Sequence, residues 1–158
     1  MTPEQIGETI LQMGKQARAS AHALTKLSTE RKNAILLAMA DAVVAREAEI
    51  LAANRQDLAA ADALGLTPAM KDRLRLDHDR IAAMARGIRD VALLHDPSGE
   101  VIRQWSRPNG LEILKKRTPI GVIGIIFESR PNVTADAAVL CFKTGNATIL
   151  RGGKEAIF

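Results

Sequence analysis

The sequence predicts an α/β chain in which a helical block precedes the first strands of a parallel sheet, the sheet domain being incomplete. Three observations carry that reading. Residues 1 to about 95 hold alanine-rich stretches whose larger apolar side chains recur at helical spacing. The run "IGVIGIIF", residues 120–127, is continuous, apolar and β-branched, the pattern of a strand buried on both faces. A second short run, "ATIL" at 147–150, follows across a helical segment and completes one β-α-β unit of about thirty residues. One such unit leaves both strands short of neighbours. The chain is therefore expected either to be a fragment or to borrow strands from another chain.

Each element has its own signal. Thr2-Pro3-Glu4-Gln5 opens the first helix: Thr2 caps, Pro3 suits the first helical position, and Gln5 completes a capping box. Ile6, Ile10, Met13 and Ala17 follow on one face. The stretch from Ser28 to Gly65 reads as one alanine-rich helical region, with Ile35, Met39, Val43, Ile50 and Leu58 near a common stripe and Gly65 as its stop. Thr67-Pro68 restarts a helix by the same cap-and-proline device. In "DHDRIAAMARGIRDVALL", Asp77 or Asp79 caps, and Ile81, Met84, Ile88 and Val91 share a face. After the turn "HDPSGEV", two strands meet at Pro108-Asn109-Gly110, because Asn-Gly is the strongest short hairpin signal. Their alternation is weak, which predicts a half-exposed ribbon. After "IGVIGIIF", residues 132–146 read as a helix, "KTGN" being its stop with Gly145 in the left-handed position. Three parts result: helices over 1–100, a ribbon over 101–118, and the first β-α-β unit over 119–158.

Composition bounds the function. The 158 residues are 47 % hydrophobic and 25 % charged, a globular balance. Aromatics are 3 %, with one tryptophan, Trp105, and no tyrosine, which argues against modules that stack nucleic-acid bases. The net charge is +4, but the densest basic cluster, Lys115-Lys116-Arg117, is short and reads as a solvated strand end. No apolar run is long enough to span a bilayer, and the N-terminus carries no secretory pattern. With a single cysteine, no internal disulfide can form, and a cytoplasmic location is expected. His22, His78 and His95 are far apart, so no metal site is expected.

Ligands of open parallel sheets bind beyond the carboxyl ends of the strands. Two polar loops fall there, 128–132 and 151–155, and consecutive parallel strands bring them together. Arg130 offers a rigid fork for carboxylate or phosphate. Asn132 either presents its amide to an oxyanion or caps the following helix. Arg151 and Lys154 flank Gly152-Gly153, where a ligand can approach the backbone. There is no G-x-G-x-x-G fingerprint and no Walker motif. Cys141 lies near a helix C-terminus among apolar neighbours and reads as a core residue rather than a nucleophile.

The segment "PIGVIGIIFESRPNVTADAAVLCFKTGNATILRGGKEA" closely resembles the γ-glutamyl phosphate reductase family of the aldehyde dehydrogenase superfamily. "RIAAMARGIRDVALLHDPSGEV" and "RPNGLEILKKRTPIGV" are similar to the same family's preceding segments. The resemblance implies an aldehyde dehydrogenase-like fold with a Rossmann-like sheet. It also implies reduction of L-glutamyl 5-phosphate by NADPH to glutamate 5-semialdehyde and phosphate, in proline biosynthesis. A cysteine thiolate would attack the acyl phosphate, and an oxyanion hole would stabilise the tetrahedral intermediates. Carried over by motif, Asn132 becomes the oxyanion candidate, although a direct overlay puts Arg130 at that position; Arg130 is alternatively the acyl-phosphate ligand. Arg151, Gly152, Gly153 and Lys154 become the cofactor-binding set, the cations favouring a 2′-phosphate. The family's nucleophilic cysteine has no match in this chain, so an N-terminal portion, inactive alone, is expected, and the ribbon implies a homo-oligomer. The competing expectations are a short non-catalytic binding or assembly module and an aldehyde dehydrogenase acting on a plain aldehyde.

Overall fold

The computed structural model describes residues 1–128 and 130–158; Ser129, in the first polar loop, lies outside the described residues. Five helices come first: α1 Pro3–Leu24, α2 Thr29–Ala45, α3 Glu47–Ala60, α4 Pro68–Leu74 and α5 His78–Leu93. Strands β1 Val101–Ser106 and β2 Glu112–Lys116 form an antiparallel ribbon. Strands β3 Val122–Ile126 and β4 Ala147–Arg151 pair in parallel across helix α6, Pro131–Lys143.

The helix starts are set by side-chain caps. The Thr2–Gln5 capping box forms at α1, and Ser28, Thr67 and Asp77 accept the backbone N–H of Arg31, Met70 and Arg80 at α2, α4 and α5. Asp77, not Asp79, is thus the cap of α5. The region 28–65, expected as one helical stretch, is two helices. Arg46 leaves helical geometry between them (φ −102°, ψ 18°) while its guanidinium forks onto Glu49 at 3.0 and 2.8 Å. Past this break α3 carries the buried Asn54 to the end of α4, where its amide donates to Leu74 O at 2.8 Å and its Oδ1 accepts Leu76 N–H at 2.7 Å.

The core sits where α2, α5 and α6 meet. Leu36 and Ala40 from α2, Ala85, Ile88 and Ala92 from α5, and Val139 from α6 form one buried cluster. Alanines on the facing sides let α2 and α5 approach closely, and each large aliphatic side chain fully buried there contributes about 1.5–3 kcal/mol. Helices α1 and α6 both pack on β4, and α1 reaches β3.

Charged groups also enter this core. Lys32 of α2 pairs with Asp96, both side chains 3 % exposed. Lys143 of α6 is 2 % exposed and donates to Asn33 Oδ1 and Ala92 O at 2.5 and 2.9 Å, while Lys32 donates to Lys143 O at 3.2 Å. Asp96 further accepts from Thr29 Oγ1 (3.1 Å) and Ser98 N–H (2.9 Å). Burial pushes the Asp96 carboxyl up, but the bonds from Lys32, Ser98 and Thr29 outweigh it and bring the pKa down to about 2. Burial lowers the Lys143 ammonium pKa; Asp96 opposes and Lys32 adds to that shift.

The ribbon turns at Asn109-Gly110, with Gly110 at φ +83° and Asn109 Oδ1 accepting Leu111 N–H at 3.2 Å. Most of its residues are exposed, Ile102 and Leu114 among them at 48 % and 50 %. Lys115 and Lys116 are solvated on β2, and Arg117 pairs with Glu100 at 2.8 Å. Helix α6 runs 131–143 and closes with Gly145 at φ +77°. An added Cβ at Gly145 would stand 2.9 Å from Pro119 Cγ, so both backbone conformation and space require glycine there.

Candidate functional site

The parallel pairing of β3 and β4 aligns Ile126 with Arg151, so both polar loops leave the sheet at the same edge. Phe127 N–H donates to Arg151 O at 3.1 Å, and the Phe127 ring lies beside Gly152. The two loops are thereby held side by side. Arg151 and Lys154 are exposed there, and Glu155 is buried with its carboxylate over Gly153. The sequence predicts a glycine pair open to a ligand; at Gly153 part of that space is filled by Glu155.

Arg130 is the N-cap of α6 in extended geometry (φ −137°, ψ 90°), and among the described residues no side chain caps the helix. Pro131 takes the first helical position, where a missing N–H is harmless. Asn132 lies inside the first turn. It is not the cap, which disposes of that alternative. Its Nδ2 donates to Asp136 Oδ2 at 3.1 Å, fixing the amide's orientation on the helix surface.

Arg130 and Asn132 open together onto a cleft of about 420 Å³ between α6 and the α4–α5 segment. Its far wall carries Arg73, Arg75 and Arg80. Arg80 is committed locally: it pairs with Asp72 Oδ1 at 2.8 Å and donates to the carbonyls of Asp72 and Arg75. A neighbouring cleft of about 390 Å³ is lined by Met70, Arg73, Phe127, Glu128, Arg130 and Val133. The structure therefore brings Arg130 and Asn132 to one cleft and Arg151, Gly152 and Lys154 to the adjoining loop. Arg73 of α4, Arg75 just after it and Arg80 of α5 carry no role in the sequence analysis; the stretch "RLRLDHDR", three arginines against two aspartates, was the available signal.

Cys141 is 8 % exposed, and burial raises its thiol pKa, so the thiolate is disfavoured. Among the described residues no cluster of histidine, cysteine or carboxylate side chains can hold a metal ion, and no helix is long and apolar enough to cross a membrane.

No protein-family model matches the chain. Curated relatives do. Over 154 residues the chain is 55 % identical to a protein of Syntrophomonas wolfei named gamma-glutamyl phosphate reductase, covering 98 % of this chain and 37 % of that protein. A protein of the same name from Allorhizobium ampelinum is 53 % identical over 152 residues, covering 96 % of this chain and 36 % of its own length. The crystal structure of gamma-glutamyl phosphate reductase from Thermotoga maritima superposes with a TM-score of 0.89 at 42 % identity, over 92 % of this chain and 35 % of that one. The Saccharomyces cerevisiae enzyme gives 0.86 at 41 % identity, over 92 % of this chain and 37 % of that one. The chain thus spans little more than a third of the length of the relatives it matches, and its mixed helix–strand fold is that of the corresponding part of their structures.

Proposed function

We propose that this chain is the N-terminal part of a γ-glutamyl phosphate reductase, with an aldehyde dehydrogenase-like fold and a Rossmann-like cofactor sheet. The reaction is reduction of L-glutamyl 5-phosphate to glutamate 5-semialdehyde, with release of phosphate. The observation that carries the reading is identity of 55 % along 98 % of the chain to a relative of that name.

In this reading the residues divide the work as follows. Arg130 at the cleft mouth binds the acyl phosphate through its planar fork and neutralises charge on the leaving phosphate. Asn132 directs an amide N–H toward the oxyanion of the tetrahedral intermediates; its bond to Asp136 holds the amide in place beforehand. The nucleophile is a cysteine other than the buried Cys141. The loop after β4 fits NADPH by its donor chemistry: Arg151 and Lys154 are exposed cations suited to a 2′-phosphate, beside a backbone that Gly152 leaves approachable. Bound there, the cofactor supplies a hydride. A cytoplasmic homo-oligomer, joined through the β1–β2 ribbon, completes the proposal.

The test is oxidation of glutamate 5-semialdehyde by the full-length gene product with NADP. Reduction of NADP that requires inorganic phosphate is expected, with no turnover by residues 1–158 alone. Turnover without phosphate would indicate a plain aldehyde dehydrogenase and overturn the reading.

A further inference from the structure

We propose that Arg73 is a second ligand for the oxyanion group held at Arg130, the two guanidinium groups closing on one phosphoryl group from opposite walls. The inference deepens the reading of Arg130 as an anion ligand and rests on it.

Two clefts open beside the start of α6, and the residues they share are Arg73 and Arg130. These two side chains therefore form the divide between the clefts, one arriving from α4 and the other from the β3–α6 loop. The larger cleft sets Arg73, Arg75, Arg80 and Arg130 against two carboxylates, Asp72 and Asp136, and the smaller adds Glu128. Arg80 is engaged with Asp72 and with carbonyls, and Asp136, bonded to the neutral Asn132 amide, keeps its charge, so the larger cleft retains an excess of cations. The side chains of Arg73, Arg75 and Arg130 make no hydrogen bond or ion pair with the described residues; only their backbone groups do. Cations converging on one concavity repel each other, and an anion between them removes that repulsion.

The platform under Arg73 is rigid. The C-terminal end of α4 is tied by Asn54 to Leu74 O and Leu76 N–H, and by Arg80 to the carbonyls of Asp72 and Arg75. An arginine on a pre-tied helix end is a better anion ligand than one on a free loop, because less is lost on ordering it. The fork geometry and the small cleft suit a phosphoryl oxyanion rather than an extended polyanion.

Inorganic phosphate is the probe, titrated calorimetrically into the full-length gene product and varied in the semialdehyde oxidation assay. Arg73→Gln is expected to raise both the phosphate Kd and the phosphate KM at least about ten-fold, the size of one charge-assisted contact. The KM values for semialdehyde and NADP should stay unchanged. Arg73→Lys should fall between, and Arg86→Gln, an exposed arginine of α5, should match the parent. Circular dichroism and melting identify any misfolded variant, and Arg73→Lys keeps the test open if Arg73→Gln is one. Phosphate constants for both Arg73 variants equal to those of Arg86→Gln, or a rise confined to the semialdehyde KM, would overturn the clamp. Failure of the underlying reading looks different: no phosphate-dependent turnover by the parent protein at all.

Discussion

Lys143 carries a long apolar stem and a charged tip, and α6 buries both. The stem is buried with the rest of the side chain while the ammonium meets Asn33 Oδ1 and Ala92 O. Lysine is accepted in such a place only where its donors are used, since an unpaired buried charge is expensive. Replacing Lys143 with methionine keeps the volume and strands two acceptors. A loss of about 2–3 kcal/mol is expected, because the buried Ala92 carbonyl and the half-buried Asn33 amide oxygen lose their donor; equilibrium urea unfolding measures it. An unchanged midpoint would mean that water satisfies both acceptors. Cys141, two residues earlier, shows the opposite economy of means: a small thiol, kept neutral by burial, behaves as part of the core.

At the level of elements, local chemistry made much of the fold readable. Thr2, Ser28, Thr67 and Asp77 announce helix starts because a cap acts within three residues of itself. The Asn109-Gly110 turn and the β-branched runs at 122–126 and 147–150 are equally local, and strand-end logic then placed Arg130 and Asn132 at one sheet edge, although Asn132 belongs to the first turn of α6 and not to the loop. The break at Arg46 was not readable, since no glycine or proline marks it in an alanine-rich stretch. Nor was the meeting of Arg73 and Arg130 in one cleft, or of Lys32 with the Lys143 carbonyl; both join distant segments, and side-chain type alone does not say which distant group a lysine or arginine will meet. The ribbon exposes apolar side chains, Val101, Ile102, Leu111 and Leu114 among them. An exposed two-stranded ribbon is marginal by itself and gains from a partner. Deleting 103–116 from the full-length protein is therefore expected to lower its oligomeric mass, read by light scattering coupled to gel filtration. An unchanged mass would remove the ribbon from assembly.

For the molecule as a whole, the Lys32–Asp96 pair ties stability to acid. Asp96 titrates at about 2 in the fold against 3.8 for the free group. Its folded pKa is depressed, so its contribution is fully present above pH ~4 and is lost as pH falls through about 2; linkage puts that loss on the order of 2 kcal/mol. Lys143 has the same sign in a different window: its pKa is also lowered, so the fold gains stability as pH rises through the folded value toward 10.5. Urea midpoints between pH 6 and pH 2 should fall most steeply below pH 4, and Asp96→Asn should be less stable throughout and flatter in that window. Equal slopes for the two proteins would show that other carboxylates govern the acid limb. The same knot bears on how the chain comes into being. Lys32 and the Lys143 carbonyl it reaches are separated by 111 positions, and at about 5–20 residues per second a ribosome needs on the order of ten seconds to cross that gap. Once Asp96 has been made, α2 and α5 can lie together with Lys32 held by it, but until α6 follows the side of the core that α6 covers stays open to solvent. Synthesis of α6 then supplies Val139 and Lys143 together, so the nascent helical block waits, half-sealed, for the strand-flanked helix that closes it.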